Sequence, residues 1–323
     1  MVGTSKTTQD DYLWTNSPDW HAARQQNILK DHPEVKRLFG IDENTKYLGV
    51  LLVFLQLFVS VLSPKLAWPA YLFSMYFFGA TLMQAAFLLV HECSHNLLFH
   101  STLHNRLFSY FSQLAIPIPF SESFRYYHMK HHSDHTTEGV DTDIPTKMEA
   151  NFTRRGPIFK FIWMQFNVVF YAIRPSLLMH MPLTKFLAWN WGIQILFNLF
   201  FYFLFGMSPI LYSLLSVLIA GGIHPLAGHF LCEHYIMKGI PHDQETISYY
   251  GPLNFFIWNA GHHVEHHDFK SVPWSRLPVL RHIAPLYYDS LQTYDSYVTA
   301  IYSFITDETV SGFSRVKRKT TKE

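Results

Sequence analysis

Charge is scarce in this sequence. Only 15% of its 323 residues are Asp, Glu, Lys or Arg, against about 25% in an ordinary soluble domain. Residues 47–64, 66–90 and 186–232 contain none of the four at all. So apolar a chain does not stay solvated as a disordered one. Cysteine is scarce too. Cys93 and Cys232 are too few for a disulfide framework, which fits reducing surroundings. The net charge is +1, and Lys317-Arg318-Lys319 is a short basic tail rather than a stripe, which argues against a nucleic-acid partner. No P-loop, Rossmann glycine pattern or Ser-His-Asp order is present. The first 46 residues hold no apolar core segment, so no signal peptide is expected.

What is abundant is apolar length. About 20 residues span a bilayer core, and the first two uncharged runs fit that length, with Pro64-Lys65 making a tight hairpin between them. The third, Phe186–Cys232, would be about 70 Å long as one straight helix, more than twice the hydrocarbon thickness. Gly206-Met-Ser-Pro209 supplies the break it needs. The sequence thus predicts an all-α integral membrane protein with four transmembrane helices, near 47–63, 68–90, 186–206 and 209–232. Two shorter stretches, Leu107–Ser121 and Phe161–Ile173, read as interfacial helices with Trp163 and Tyr171 at headgroup depth. Of 25 Lys and Arg, only Lys65 falls on one side of this arrangement. The positive-inside rule then places both termini and the middle loop in the cytosol. Five parts result: a cytosolic segment 1–46, a hairpin 47–90, a cytosolic loop 91–185, a second hairpin 186–232 and a cytosolic C-terminal part 233–323.

Histidine is the other excess, with 20 copies. Three clusters stand out: His91-Glu-Cys-Ser-His95, His128-Met-Lys-His131-His132 and His263-Val-Glu-His266-His267. On a helix, residues i, i+3 and i+4 share a face, so each cluster aims two or three imidazoles one way, which is metal-ligand spacing. His234 is the favoured further ligand, because it emerges beyond the last apolar run, with His229 second. His224, before Pro225, reads as a hydrogen-bonding residue in a kink. So many imidazoles exceed the four ligands of one zinc and suit a histidine-rich di-metal domain. Imidazole alone does not choose among Fe, Zn, Cu and Ni.

The boxes H-x-x-x-H, H-x-x-H-H and H-x-x-H-H on a four-span protein resemble those of the membrane-bound fatty acyl desaturase and hydroxylase superfamily. The flanking words narrow the likeness. Arg125-Tyr-Tyr-His-Met-Lys-His-His132, Gly139-Val-Asp-Thr-Asp-Ile-Pro-Thr146, Gly228-His-Phe-Leu-Cys-Glu-His-Tyr235, Ser248-Tyr-Tyr-Gly-Pro-Leu-Asn254 and Glu265-His-His-Asp-Phe269 are similar to those of the sphingolipid Δ4-desaturases. Asp11-Tyr-Leu-Trp14 and Ile28-Leu-Lys-Asp-His-Pro-Glu-Val-Lys36 resemble that family's N-terminal part.

The resemblance implies two iron ions held by His91, His95, His128, His131, His132, His263, His266 and His267, with His234 matching an extra ligand. It implies O2-dependent removal of hydrogen from C4 and C5 of dihydroceramide, giving ceramide, in the endoplasmic reticulum membrane. Electrons would come from NADH through cytochrome b5 and its reductase. No His-Pro-Gly-Gly haem word is present, so cytochrome b5 would be a separate protein, received on basics such as Lys147, Arg154, Arg155, Arg276 and Arg281. Glu92, Asp141, Asp143, Glu233 and Glu265 are the candidates to hold the outer ring nitrogens of the ligands. The chain departs from the family at Val2, which removes the acylation signal seen in animal members. It departs also at His262, where relatives often have Tyr, and in a longer Lys238–Glu245 stretch. Membrane lipids are further partners, and the lipid tail is expected between spans, on 72–90 and 196–218. Rival readings are a sphingoid C4-hydroxylase or bifunctional enzyme on the same scaffold, an intramembrane zinc protease using His91-Glu92-x-x-His95, and a histidine-relay transporter.

Overall fold

The computed structural model describes residues 9–319. Val2 therefore lies outside the described residues. Most of the chain is helical, and the first helix, α1 (Trp20–Asp31), is capped by the Asp19 carboxylate, which accepts from the His21 N–H. Two apolar helices follow, α2 (Thr45–Leu62) and α3 (Trp68–Ser94), the latter interrupted by a π turn at Met75–Gly79. At 27 residues, α3 is about 40 Å long, roughly 10 Å more than a bilayer core. Its surplus carries His91. α3 packs closely on a later span at Gly79, where an added Cβ would lie 2.3 Å from Ser216 Oγ.

Among the described residues, three helices are long and apolar enough to cross a membrane, Lys185–Phe205 being the third, and a bent pair makes four if counted as one span. That pair, Ser208–Ala220 and Pro225–Cys232, bends by 44°. The sequence run suggested one continuous helix over 209–232. The break arises because His224 precedes Pro225, which disfavours helical geometry, and sits instead at φ −101°, ψ 142°. Gly221 and Gly222 end the first half, and a Cβ on either would strike Val168 or Gln165. His224 does act within the kink, its Nδ1 accepting from the Leu226 N–H.

The two expected interfacial helices also differ. The first is α4 (Thr102–Gln113), followed by an irregular turn through Pro117 and Pro119 and then α5 (Ser121–Ser133). Proline after proline removes donors and bars helix at the preceding residues. After α6 (Lys147–Thr153), the second divides at Phe166 into α7 (Pro157–Gln165) and α8 (Asn167–Leu178). Trp163 faces inward: it is buried against Tyr235 and Phe304 and donates to Glu149 Oε1. Tyr171 lines a cavity.

The remaining helices include α9 (Lys185–Phe205), α10 (Ser208–Ala220), a short Pro225–Cys232 segment, α11 (His263–Asp268), α12 (Leu277–Ile283) and α13 (Tyr297–Thr306). The structure is not purely helical. β1 (Leu13–Thr15) pairs in parallel with β4 (Val316–Arg318), and β2 (Ser248–Tyr249) with β3 (Thr293–Tyr294). Parallel pairing needs no local turn, so β1–β4 joins the two ends of the chain. Core clusters follow the same logic. Leu52, Val53, Ala80 and Val217 pack the spans together, while Ile28, Val35, Val264 and Phe269 seat α1 against the third box.

Candidate metal centre

Four parts of the chain converge above the spans. The end of α3 brings His91 and His95, α5 brings the second box, α11 brings the third, and the short helix after the kink leads into His234. The ligand atoms of His91, His95, His128, His132 and His266 lie within 4.8 Å of one another. Their Nε2 atoms are close: His95 to His128 is 2.8 Å, His128 to His132 is 3.1 Å and His132 to His266 is 3.1 Å. A second group holds His131, His234 and His267, and His263 Nε2 lies 3.0 Å from His234 Nε2. The rings of His132 and His267, 4.3 Å apart, connect the two.

Helix geometry explains the division. Residues four apart nearly superpose, whereas neighbours diverge by about 100°. The pairs His91/His95 and His128/His132 therefore face one cluster, and His263/His267 the other. The intervening His131 and His266 cross over.

These nitrogens fit a metal and fit little else. Burial, followed by the neighbouring imidazoles, holds His128, His132, His234, His266 and His267 well below the usual histidine range, so they stay neutral. Neutral imidazole is the metal-binding form. Facing lone pairs repel, and one proton cannot bridge five rings. Nitrogens about 2.1 Å from a common ion and at right angles would lie about 3 Å apart. His267 Nε2 is buried with no hydrogen-bond partner among the described residues.

The opposite ring nitrogens have their own holders. His131 Nδ1 is 2.9 Å from Asp141 Oδ1. Burial opposes charge on His131, but Asp141 outweighs it and raises the pKa. Asp141 is itself pinned by the N–H groups of Thr136 and Asp143. Glu92 and Glu233 stand 3.6 Å from His91 and His263. The other two carboxylates named from sequence turn elsewhere. Asp143 pairs with Arg315 at 2.7 Å, and Glu265 accepts from Ser248 and Tyr250 and lies 3.0 Å from His262 Nδ1. His229 also turns away from both clusters, with Nδ1 at Glu233 and Nε2 at Gln84.

Two histidines escaped the sequence reading. His135 Nε2 lies 3.3 Å from His234 Nδ1, and its own Nδ1 faces Glu245 at 3.6 Å. A signal existed, since His135 is four residues beyond His131. His21 bridges Asp268 and Thr246 beside the His267 ring, and nothing in its local sequence announces that. Because His135 orients His234, His135→Leu should weaken metal affinity by about ten- to a hundredfold. Dialysis against a chelator would then strip the variant at concentrations that leave the unaltered protein loaded.

Two spaces adjoin the clusters. A small chamber of about 40 Å³ is bordered by His91, His131, His234 and His266. A larger cavity of about 470 Å³ is mostly apolar, and His128 and His131 are among the residues that border it. Its walls include Met83 and Phe87 from the expected stretch 72–90. They also include Val217 from the expected stretch 196–218, and Ile116, Ile118, Phe120, Val168, Tyr171 and Ala172 from the two stretches read as interfacial.

Helical spans capped by clustered histidines that could hold metal, beside an apolar cavity that two of them border, define a membrane-type helical protein with a candidate metal centre. The fatty acid desaturase family model matches residues 66–298, and the sphingolipid Delta4-desaturase model matches residues 8–44. The chain is 41% identical to a sphingolipid delta(4)-desaturase DES1-like protein of Oryza sativa, over 97% of this chain and 94% of that one. It is 40% identical to sphingolipid delta(4)-desaturase DES1 of Mus musculus, over 97% of each. It is 41% identical to the Schizosaccharomyces pombe sphingolipid delta(4)-desaturase, over 95% of this chain and 88% of that one. The chain belongs to the sphingolipid delta(4)-desaturase family, within the fatty acid desaturases, and is an oxidoreductase. The protease reading falls with this, and Glu92, its required base, is buried and accepts from the Trp274 N–H.

Proposed function

We propose that this protein introduces the C4–C5 double bond into the sphingoid chain of dihydroceramide, giving ceramide. Nine histidines would hold two iron ions: His91, His95, His128, His132 and His266 for one, His131, His234, His263 and His267 for the other. The iron pair supplies the O2-dependent oxidation of an unactivated methylene that no side-chain acid or base can perform. NADH, through cytochrome b5 and its reductase, supplies the electrons.

The observation that carries this reading is the junction of cavity and clusters. His128 and His131 both border the apolar cavity, and they belong to different clusters. A chain lying in the cavity against His128 and His131 would therefore be next to ligands of both ions. Phe87, Phe124, Phe230 and Tyr171 border both the cavity and the chamber. They pack against the chain, fix its path and keep water from the histidines.

The five-part division, with both termini and the histidine-bearing parts on the cytosolic face of the endoplasmic reticulum, belongs to the same proposal. Its support is the Lys and Arg distribution and the β1–β4 pairing, which keeps the two ends on one side. Of the basics considered for cytochrome b5, Arg154, Arg276 and Arg281 already have partners within the chain. Lys147 and Arg155 are the better candidates.

Membranes from expressing cells that lack their own Δ4-desaturase should convert dihydroceramide to ceramide when given NADH, O2 and cytochrome b5. Deuterium at C4 or C5 should be lost and deuterium at C6 retained. Product hydroxylated at C4 would make the enzyme bifunctional. Unsaturation confined to the N-acyl chain or to acyl-CoA would overturn the assignment.

A further inference from the structure

The larger cavity is apolar over most of its wall, and much of its polar lining is already engaged. Gln84 donates to the Ala220 carbonyl. The hydroxyls of Ser123, Tyr127 and Ser176 donate to the carbonyls of Phe120, Met179 and Ile173. Besides the histidines, two polar side chains border both this cavity and the small chamber: Tyr171 and Asp143.

Packing fixes the Tyr171 ring, whose centroid lies 5.7 Å from that of Phe230 and 6.4 Å from that of Phe87. Among the described residues nothing hydrogen-bonds its hydroxyl. Burial first, then the carboxylates of Asp143 and Glu233, push its pKa well above the usual phenol range, so it remains a proton-bearing donor. Asp143 offers the complement. Its Oδ2 accepts from Arg315 at 2.7 Å, and its Oδ1 has no partner among the described residues. Burial opposes its charge, but Arg315, His131 and Arg174 outweigh that and keep the carboxylate ionised.

Substrate chemistry gives these groups a purpose. An enzyme acting in the middle of a fatty acyl chain needs an apolar wall beside its metals. A sphingoid base attacked at C4 is different. Its hydroxyl sits on the adjoining carbon, C3, and the amide nitrogen on the next, C2. Hydrogen-bonding groups must then reach the metal centre together with the reacting carbon, and leaving them unpaired in an apolar site is costly. We infer that Tyr171 and Asp143 form the subsite for the polar end of the sphingoid base, Tyr171 donating to the C3 oxygen and Asp143 accepting from the hydroxyl or amide N–H. They are positioning residues, which set C4 and C5 against the clusters, and the inference rests on the sphingolipid reading above.

The test compares N-acyl-sphinganine with its 3-deoxy analogue in membranes supplied with NADH, O2 and cytochrome b5. The unaltered enzyme should prefer the parent by about tenfold or more in kcat/KM, the worth of one well-made hydrogen bond. Tyr171→Phe should bring that preference close to parity while its iron content stays unchanged. Asp143→Asn should also erode it. If Tyr171→Phe lowers both substrates in equal proportion, the residue is merely structural and the inference fails. Should the variant not accumulate, the unaltered enzyme still decides, because equal turnover of the two substrates overturns the subsite. An unaltered enzyme that desaturates neither, but acts on acyl-CoA, overturns the sphingolipid reading itself and the subsite with it.

Discussion

His266→Ala should lose desaturation by more than about a hundredfold, and, with the ligand set proposed above, its iron content should fall from two per chain toward one. His266 is buried, and its Nε2 lies 3.1 Å from that of His132. Its ring is 4.5 Å from His91 and 4.7 Å from His95. It therefore ties α11 to both α3 and α5 at one cluster. Loss of a residue that merely orients a ligand costs about ten- to a hundredfold in metal affinity or activity, so loss of a ligand exceeds that. Membrane insertion should persist, since His266 lies outside the apolar spans. His229→Ala is the contrast. It points at Glu233 and Gln84, so both ions should remain bound. Two irons and activity within tenfold in His266→Ala would sink the proposed ligand set.

The same residues show how far the sequence could be read. Box spacing announced the clustering of the histidines because i, i+3 and i+4 periodicity is local. Which histidine serves which cluster was less visible. Within the second box His128 and His132 share a cluster while His131 belongs to the other, and only the placement of α11 shows where each face points. His234 was legible by its position beyond the last apolar run. His135 had the spacing but lay outside the box pattern. His21 comes from more than a hundred residues away and had no signal of its own. The spans were legible as uncharged length, yet hydropathy hid the bend at Gly221–His224, because a broken apolar run and a straight one have the same composition. Trp163 was open for a related reason. An aromatic in a short apolar helix suits a membrane interface or a core equally, and its burial and bond to Glu149 show that it packs within the fold.

Glu149 also anchors the second large effect, on stability. Arg174→Leu should lower the unfolding free energy by about 3–5 kcal/mol, the usual cost of leaving one partner of a buried ion pair alone. Both side chains are 3% exposed, and the guanidinium donates to the two carboxylate oxygens at 2.6 and 2.9 Å. Arg174 reaches also to the Asp143 carbonyl at 3.0 Å, so it braces the segment from which Asp141 holds His131. Glu149→Met combined with Arg174→Leu should recover part of the loss by removing the stranded charge. Recovery stays incomplete because the Thr146 N–H and Trp163 Nε1 lose their acceptor. The pH dependence has a definite sign. Burial alone would raise the Glu149 pKa, but Arg174 and Thr146 outweigh it and hold it below the ordinary value of 4.5. The pair's contribution is therefore complete above that value and lost as pH falls through the depressed one. In Arg174→Leu burial is no longer offset by the guanidinium and favours the neutral carboxyl, so the gap in thermal midpoint should begin to narrow above pH 4.5, as the variant's carboxyl protonates, and narrow further below it, as the unaltered protein's pair is lost. A gap that stays constant across that range would show that Arg174 stabilises the fold by packing and not by its charge.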